Sequence, residues 1–169
     1  MGNGYFTVSF FGHRQIEQVS GIETRLDRLL HDLITQKEYA EFLIGRDGDF
    51  DLLASSAIRR AIRRYGCGNT HFTLVLPYQR AEYRDNEQSY LDYYDEVEIC
   101  AASAAAHPKA AIGLRNRDMI ERSDLVVCCI QHDHGGAYQA ARYAAKLGKR
   151  MLKLADHPEI TDALLAISE

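Results

Sequence analysis

The sequence predicts an α/β fold, with a doubly wound, mainly parallel sheet of five to six strands and helices on both faces. Three observations predict it. The strand-like segments are continuous apolar runs, they alternate with segments of helical periodicity, and glycines and charged residues gather directly after the runs. A run that is apolar at every position is buried on both sides, which a parallel sheet covered by helices provides. Right-handed crossovers then make the domain Rossmann-like, and its ligands belong beyond the strand carboxyl ends, where the strand order reverses.

Each element follows in order. Residues 6–10 form an apolar run closing at Gly12 and read as the first strand. Ile22, Leu26, Leu29, Leu30, Leu33 and Ile34 then recur at helical spacing, with Arg25, Asp27, Arg28 and Asp32 between them. Residues 41–45 (EFLIG) read as the second strand. Ala54, Ala57, Ile58, Ala61, Ile62 and Tyr65 make the stripe of a second helix, stopped near Gly66 and Gly68. Residues 73–76, closed by Pro77, make a third strand.

From 78 to 94 the chain turns polar and aromatic, which predicts a loop with a short helix. Its tyrosines (Tyr78, Tyr83, Tyr90, Tyr93, Tyr94) suit either a cleft wall stacking on a base or a subunit interface. Residues 96–100 read as a weak edge strand, 101–111 as an irregular connection and 117–122 as a short helix. Residues 125–130 (LVVCCI) give the most apolar strand, 137–147 an Ala-rich helix ending at Gly148, 150–154 a last strand and 158–167 a terminal helix. No internal repeat is present.

A length of 169 residues suits a single domain spanning 1–169. Hydrophobic residues at 46% and charged residues at 26% leave enough apolar surface for a real core. No stretch approaches the roughly 20 apolar residues of a membrane span. The first residues lack a basic leader, and Gly2 is a poor match to a myristoylation start, so a cytoplasmic protein with no membrane partner is expected. A net charge of −4 argues against a nucleic-acid partner held by general phosphate attraction. Cys67, Cys100, Cys128 and Cys129 show no paired ligand spacing and read as reduced, buried thiols.

Three loops carry the chemistry. After the first strand, Gly12 allows close backbone approach, His13 follows, and Arg14 offers a planar fork for phosphate or carboxylate. After the second, Gly45-Arg46-Asp47-Gly48-Asp49-Phe50-Asp51 runs directly into a helix, so its amides could face an anion; Asp49 or Asp51 also suits the N-cap. The loop is neither a Walker motif nor an EF-hand, since no Gly-Lys-Ser/Thr and no distal Glu follow. After the LVVCCI strand, His132-Asp133-His134-Gly135-Gly136 makes a second glycine-hinged strand-to-helix turn. Two histidines without an identifiable third ligand do not make a metal site, and no metal or cofactor is expected. Arg117 is either a solvated helix start or a further anion contact. Arg59, Arg60, Arg63 and Arg64 fit a solvated basic face.

FFGHR, FLIGRDGDFD, LVLPY and LRNRDMIERSDLVVCCIQHDHGGAYQAARYAAKLGKR, in this order, resemble the SLOG superfamily, and within it YpsA-related bacterial proteins. The resemblance runs from about residue 10 to residue 154 and is weakest between 80 and 111. It implies a Rossmann-like fold that binds nucleotides or nucleotide-derived molecules. The same superfamily holds the LOG-type phosphoribohydrolases, the DprA-type DNA-processing proteins and sensor domains of bacterial conflict systems. By resemblance, Gly12, His13 and Arg14 match its first-strand element. Gly45, Gly48, Phe50 and Asp51 match the second, and Asp133, Gly135 and Gly136 match the last glycine turn.

The phosphoribohydrolase pattern Pro-Gly-Gly-x-Gly-Thr with a following Glu is absent, and Arg46 stands where a second glycine would. The expected function is therefore binding of a nucleotide-like small molecule, as a sensor or signal-binding module. An N-glycosidase acting on nucleotides, with Asp51 and Asp133 as candidate catalytic carboxylates, is the enzymatic alternative. An interaction protein with a vestigial pocket is the third, and self-association is compatible with the Tyr-rich segment.

Overall fold

A computed structural model describes residues 4–167 of the chain; Gly2 lies outside them. The chain runs β1 (Tyr5–Gly12), α1 (Val19–Gln36), β2 (Tyr39–Ile44), α2 (Asp49–Tyr65) and β3 (Thr70–Leu76), then α3 (Ala81–Asp85), α4 (Glu87–Tyr93) and β4 (Glu96–Ile99). It continues with α5 (Pro108–Glu121), β5 (Leu125–Cys129), α6 (Gly136–Lys146), β6 (Met151–Lys153) and α7 (Pro158–Ile167).

The six strands form one sheet in the order β4-β3-β2-β1-β5-β6, and every neighbouring pair is parallel. The fold is thus Rossmann-like. The chain winds outward from β1 to β4, then returns to lay β5 on the other side of β1. Strand order reverses between β1 and β5, and a crevice opens at that point.

Strand residues alternate between two cores. Val8, Phe10, Phe42, Ile44, Phe72, Leu74 and Val127 face the side covered by α1 and α2. Phe11, Leu43, Val75 and Val126 face α5 and α6, while Cys128 faces α6 and α7. This two-residue period explains why each strand reads as one apolar run, because both faces are covered. Phe10, Phe42, Phe50 and Phe72 are all fully buried. Each such side chain contributes on the order of 1.5–3 kcal/mol by leaving water.

Two sequence expectations change. Helix α5 begins at Pro108, so part of the connection expected to be irregular is helical and Arg117 is mid-helix. Its start is set by Pro108 at the first turn and by the His107 ring, which accepts from the Lys109 amide at 3.2 Å. The tyrosine segment is core: Tyr90 and Tyr94 are buried, Tyr94 against Phe72 at 5.0 Å between ring centroids. Neither a cleft wall nor an interface is needed to account for those two rings.

Gly12 sits where β1 meets α2. A Cβ added there would fall 2.1–2.5 Å from the Phe50 side chain. Gly113, mid-way along α5, has nothing within 4 Å of the same position. Gly12→Ala is therefore expected to cost about 3 kcal/mol in urea unfolding, from overpacking. Gly113→Ala should raise stability by about 0.5–1 kcal/mol. Equal behaviour of the two variants would contradict this packing.

Candidate functional site

A cavity of about 580 Å³ opens across the carboxyl ends of β2, β1 and β5. That volume lies in the range of small-molecule sites. Gly12, His13, Arg14, Gly45, Asp51, Gly135 and Gly136 all line it, so most residues singled out from the sequence converge here. The β1 and β5 loops are tied together by one side chain. The Gln131 amide accepts from the Glu17 N–H at 2.9 Å and donates to the Glu17 carbonyl at 2.7 Å.

The glycine turn after β2 is largely packed by the protein's own atoms. The Asp49 amide donates to the Arg14 carbonyl at 2.8 Å, and the Phe50 amide to the His13 carbonyl at 3.4 Å. The Asp47 amide donates to Asp51 Oδ2 at 2.9 Å. A Cβ on Gly48 would meet Arg14 Cα at 2.4 Å, and one on Gly45 would meet Arg115 Nη1 at 3.0 Å and Asp51 Oδ2 at 3.1 Å. These glycines admit the protein's own atoms. The Asp47, Asp49 and Phe50 amides therefore have acceptors within the protein, whereas Gly45 lines the cavity. The N-cap is Gly48, without a side-chain cap, so neither Asp49 nor Asp51 takes that role.

The turn after β5 is open. Gly135 has φ +90, a conformation that L side chains rarely adopt, and it swings the chain into α6. A Cβ on Gly135 would meet only His13 Nδ1, at 4.0 Å, and one on Gly136 would meet nothing within 4 Å. Among the described residues, the Gly136 and Ala137 amides have no hydrogen-bond acceptor, and they stand at the positive end of α6. Arg14 is exposed on the cavity edge, and its guanidinium has no acidic partner among the described residues.

Three imidazoles stack beside this turn. His13 lies on His132 at 3.5 Å between centroids, and His132 on His134 at 4.0 Å. Burial, then the proximity of His132 and His134, lowers the His13 pKa to about 4, so the ring is neutral at physiological pH. Its Nε2 accepts from the His132 amide at 3.4 Å. That contact assigns the ring proton to Nδ1, the atom facing Gly135. His132 Nδ1 is buried without a hydrogen-bond partner among the described residues.

The β2 side of the cavity is built from charges. Asp47 accepts from Arg80 at 2.7 Å and from Arg115 at 2.6 Å. Burial acts to raise the Asp47 pKa, but the two arginines outweigh it and hold the carboxyl below its ordinary value. Arg115 is buried and its three nitrogens are all engaged, with the Asn116 side chain, the Val75 carbonyl and Asp47. Asp51 is also buried. Desolvation raises its pKa to about 6, against the opposing pull of the Asp47 amide and Arg115.

Four expected residues fall outside the lining, Gly48 among them. Arg117 is exposed and lies over the Tyr143 ring at 5.2 Å, away from the cavity lining. Arg46 turns toward Tyr94 and Glu82, over the Tyr90 ring at 5.0 Å. The Asp133 side chain is 82% exposed at the rim, which leaves it none of the desolvation a catalytic carboxylate exploits. Asp47, Arg115, Asn116 and His132 line the cavity without having been singled out as binding residues. Their signal was faint: Arg115 stands two residues from Arg117, and only the helix phase decides which one faces the sheet.

No protein-family model matches this chain, and no curated protein sequence does. Among solved structures, DNA processing protein A from Helicobacter pylori is similar in fold, with a TM-score of 0.63 at 18% identity over 95% of this chain and 72% of that one. DNA processing protein A (DprA) from Streptococcus pneumoniae gives a TM-score of 0.63 at 14% identity. The chain covers 56% of that protein's length, and 96% of this chain is aligned. The H. pylori protein binds single-stranded DNA. This overturns the exclusion of a nucleic-acid partner drawn from the net charge of −4. Net charge sums the whole surface, whereas a strand meets one local groove. The likeness in both cases is that of the Rossmann-like fold.

Proposed function

We propose that the cavity at the β1–β5 crevice binds a nucleotide or nucleotide-derived molecule by its phosphate. One observation carries this reading: the open amides of Gly136 and Ala137, the free guanidinium of Arg14 and the Nδ1–H of neutral His13 border the same space. Helix-start amides and a planar cation are the donors that phosphate oxygens require. Of the two arginines lining the cavity, Arg115 is engaged by Asp47, so Arg14 is the one whose charge remains for a ligand. The fold shared with a protein that binds single-stranded DNA supports nucleotide chemistry and adds an oligonucleotide as a source of the phosphate.

Asp51 favours a second reading, hydrolysis of an N-glycosidic bond. It is a buried carboxyl on the cavity wall with its pKa at about 6, the type of group that passes a proton near neutral pH. Incubation with nucleoside monophosphates, followed by chromatography for free base, separates the two readings. Binding without base release over hours leaves the first.

Charge-assisted hydrogen bonds are worth about 1.5–3 kcal/mol. Arg14→Ala should therefore weaken binding of adenosine monophosphate, inorganic phosphate or a short single-stranded oligonucleotide by one to two decades in calorimetry. Arg117→Ala should leave it unchanged. A wild-type protein that binds none of the three, or an Arg14→Ala variant as tight as wild type, would remove the proposal.

The same carboxyl sets a stability test. Asp51 has a folded pKa of about 6 against an ordinary 3.8, so its contribution is most favourable below pH 4 and is lost as pH rises to about 6. His13 acts with the opposite sign, its folded pKa of about 4 lying below 6.5, so stability is lost as pH falls through that window. The two trends offset each other in the wild type. Asp51→Asn removes one of them, so its stability should exceed that of the wild type at pH 7 by a few kcal/mol, with the gap closing toward pH 4. A gap independent of pH would contradict the assignment.

A further inference from the structure

We propose that His134 is the platform for a nucleobase: the base lies on the outer face of its imidazole and lengthens the stack of three rings, while the phosphate of the same ligand lies at the start of α6. This rests on the phosphate-binding reading above and adds the part of the ligand that the stacked imidazoles recognise.

The stack grows out of the sheet. Gly12 pairs with Cys129 across β1 and β5, so the two strands end side by side and deliver His13 and His132 to one another. Their ring centroids are 3.5 Å apart at an interplanar angle of 21°, and His134 lies on His132 at 4.0 Å and 28°. Exposure rises along the column: His13 is 5% exposed, His132 is half-buried, and the His134 side chain is 75% exposed. The buried ring anchors the column, and all three rings line the cavity.

Packing accounts for the first two rings but not for the third. His132 has a ring on each face, whereas among the described residues His132 is the one ring stacked on His134. An aromatic face left open in a cavity is a surface on which another planar π-system stacks. Because His134 is seated on a column rooted in the core, less side-chain freedom remains to be lost when a ligand binds. Burial lowers the His13 pKa to about 4, so the foot of the column is an uncharged ring. The rings do not converge on an ion instead. Stacked rings turn faces, not nitrogen lone pairs, toward one another, and among the described residues no group of His, Cys, Asp and Glu is placed to hold a metal.

Spacing joins the base to the phosphate. His134 and Gly136 are two residues apart, at most about 7.6 Å between Cα atoms, a gap that one pentose spans. Gly135 stands between them, where its φ of +90 turns the chain into α6, and a Cβ there would meet only His13 Nδ1, at 4.0 Å. With no side chain at Gly135 or Gly136, the room between the ring and the helix start stays open for the sugar. A sugar phosphate without a base would leave the His134 face uncovered.

Calorimetry on the whole chain tests this with adenosine monophosphate, ribose 5-phosphate and inorganic phosphate. A base stacked on an aromatic ring gains about one to two decades of affinity, so adenosine monophosphate should bind about tenfold or more tighter than ribose 5-phosphate. His134→Ala should abolish that preference and His134→Phe should keep it. The sequence contains no tryptophan, so His134→Trp places the one indole of the chain on the platform. Adenosine monophosphate should quench its fluorescence and ribose 5-phosphate should not. A short single-stranded oligonucleotide distinguishes a base on a strand from a free nucleotide, since the probe that loses affinity with His134→Ala is the one that supplies the base. Equal wild-type affinity for adenosine monophosphate and ribose 5-phosphate would overturn the base platform and leave phosphate binding standing. A preference that survives His134→Ala would overturn the role of His134. Failure of all three phosphate probes would remove the underlying reading as well. The wild-type comparison decides the matter even if a variant fails to fold.

Discussion

The site depends on how the end of β1 docks onto the first turn of α2. The Phe50 ring occupies the space a side chain on Gly12 would need, and the Arg14 backbone occupies that of Gly48. The carbonyls of His13 and Arg14 then take the Phe50 and Asp49 amides. One contact therefore does two jobs. It closes the start of α2, whose first amides would otherwise be unpaired, and it fixes His13 and Arg14 on the cavity wall. Since Phe50 is a fully buried core residue, the placement of His13 and Arg14 inherits the rigidity of the core.

Burying Arg115 and Asp47 together is costly unless every donor and acceptor is met, and here the guanidinium meets three acceptors. Removing Asp47 would leave the buried Arg115 guanidinium without its carboxylate, a loss of about 3–5 kcal/mol, whereas removing Arg115 leaves Asp47 paired with Arg80. The cluster thus joins α5, β3 and the β2 exit rather than serving the ligand directly. Its consequence for function is indirect. By consuming the arginine nearest to Asp51, it leaves that carboxyl facing the cavity with its pKa raised by desolvation.

Much of this was legible in the sequence. Residues 125–130, apolar at every position, could only be a strand covered on both faces, and the period of Ile22, Leu26, Leu30 and Leu33 set α1. The loops after β1, β2 and β5 line one cavity because strand exits follow from the fold class, whereas the loop after β3 does not reach it. What the sequence did not show is long-range. Whether Gly45 and Gly48 admit a ligand or the chain itself depends on Arg115 and Arg14, which arrive from α5 and the β1 exit. Whether Arg115 or Arg117 faces the sheet depends on a helix start at Pro108, inside a segment too rich in alanine to show a clear apolar stripe.

The two glycine turns look alike in sequence and differ in chemistry for one physical reason. A glycine after a strand signals close approach, but the approaching group can belong to the protein or to a ligand. At Gly48 the group is the Arg14 backbone, 2.4 Å from where a Cβ would stand, so exchange with a ligand would require dismantling the β1–α2 junction. Among the described residues, a Cβ on Gly136 would meet nothing within 4 Å, and no carbonyl takes the first amides of α6. An anion at that turn therefore displaces only water. Helix α6 stands beside β1 on the side where strand order reverses, which is where the wound sheet leaves its crevice. Topology supplies the opening, and the chain's own carbonyls determine which of two similar turns keeps its donors free.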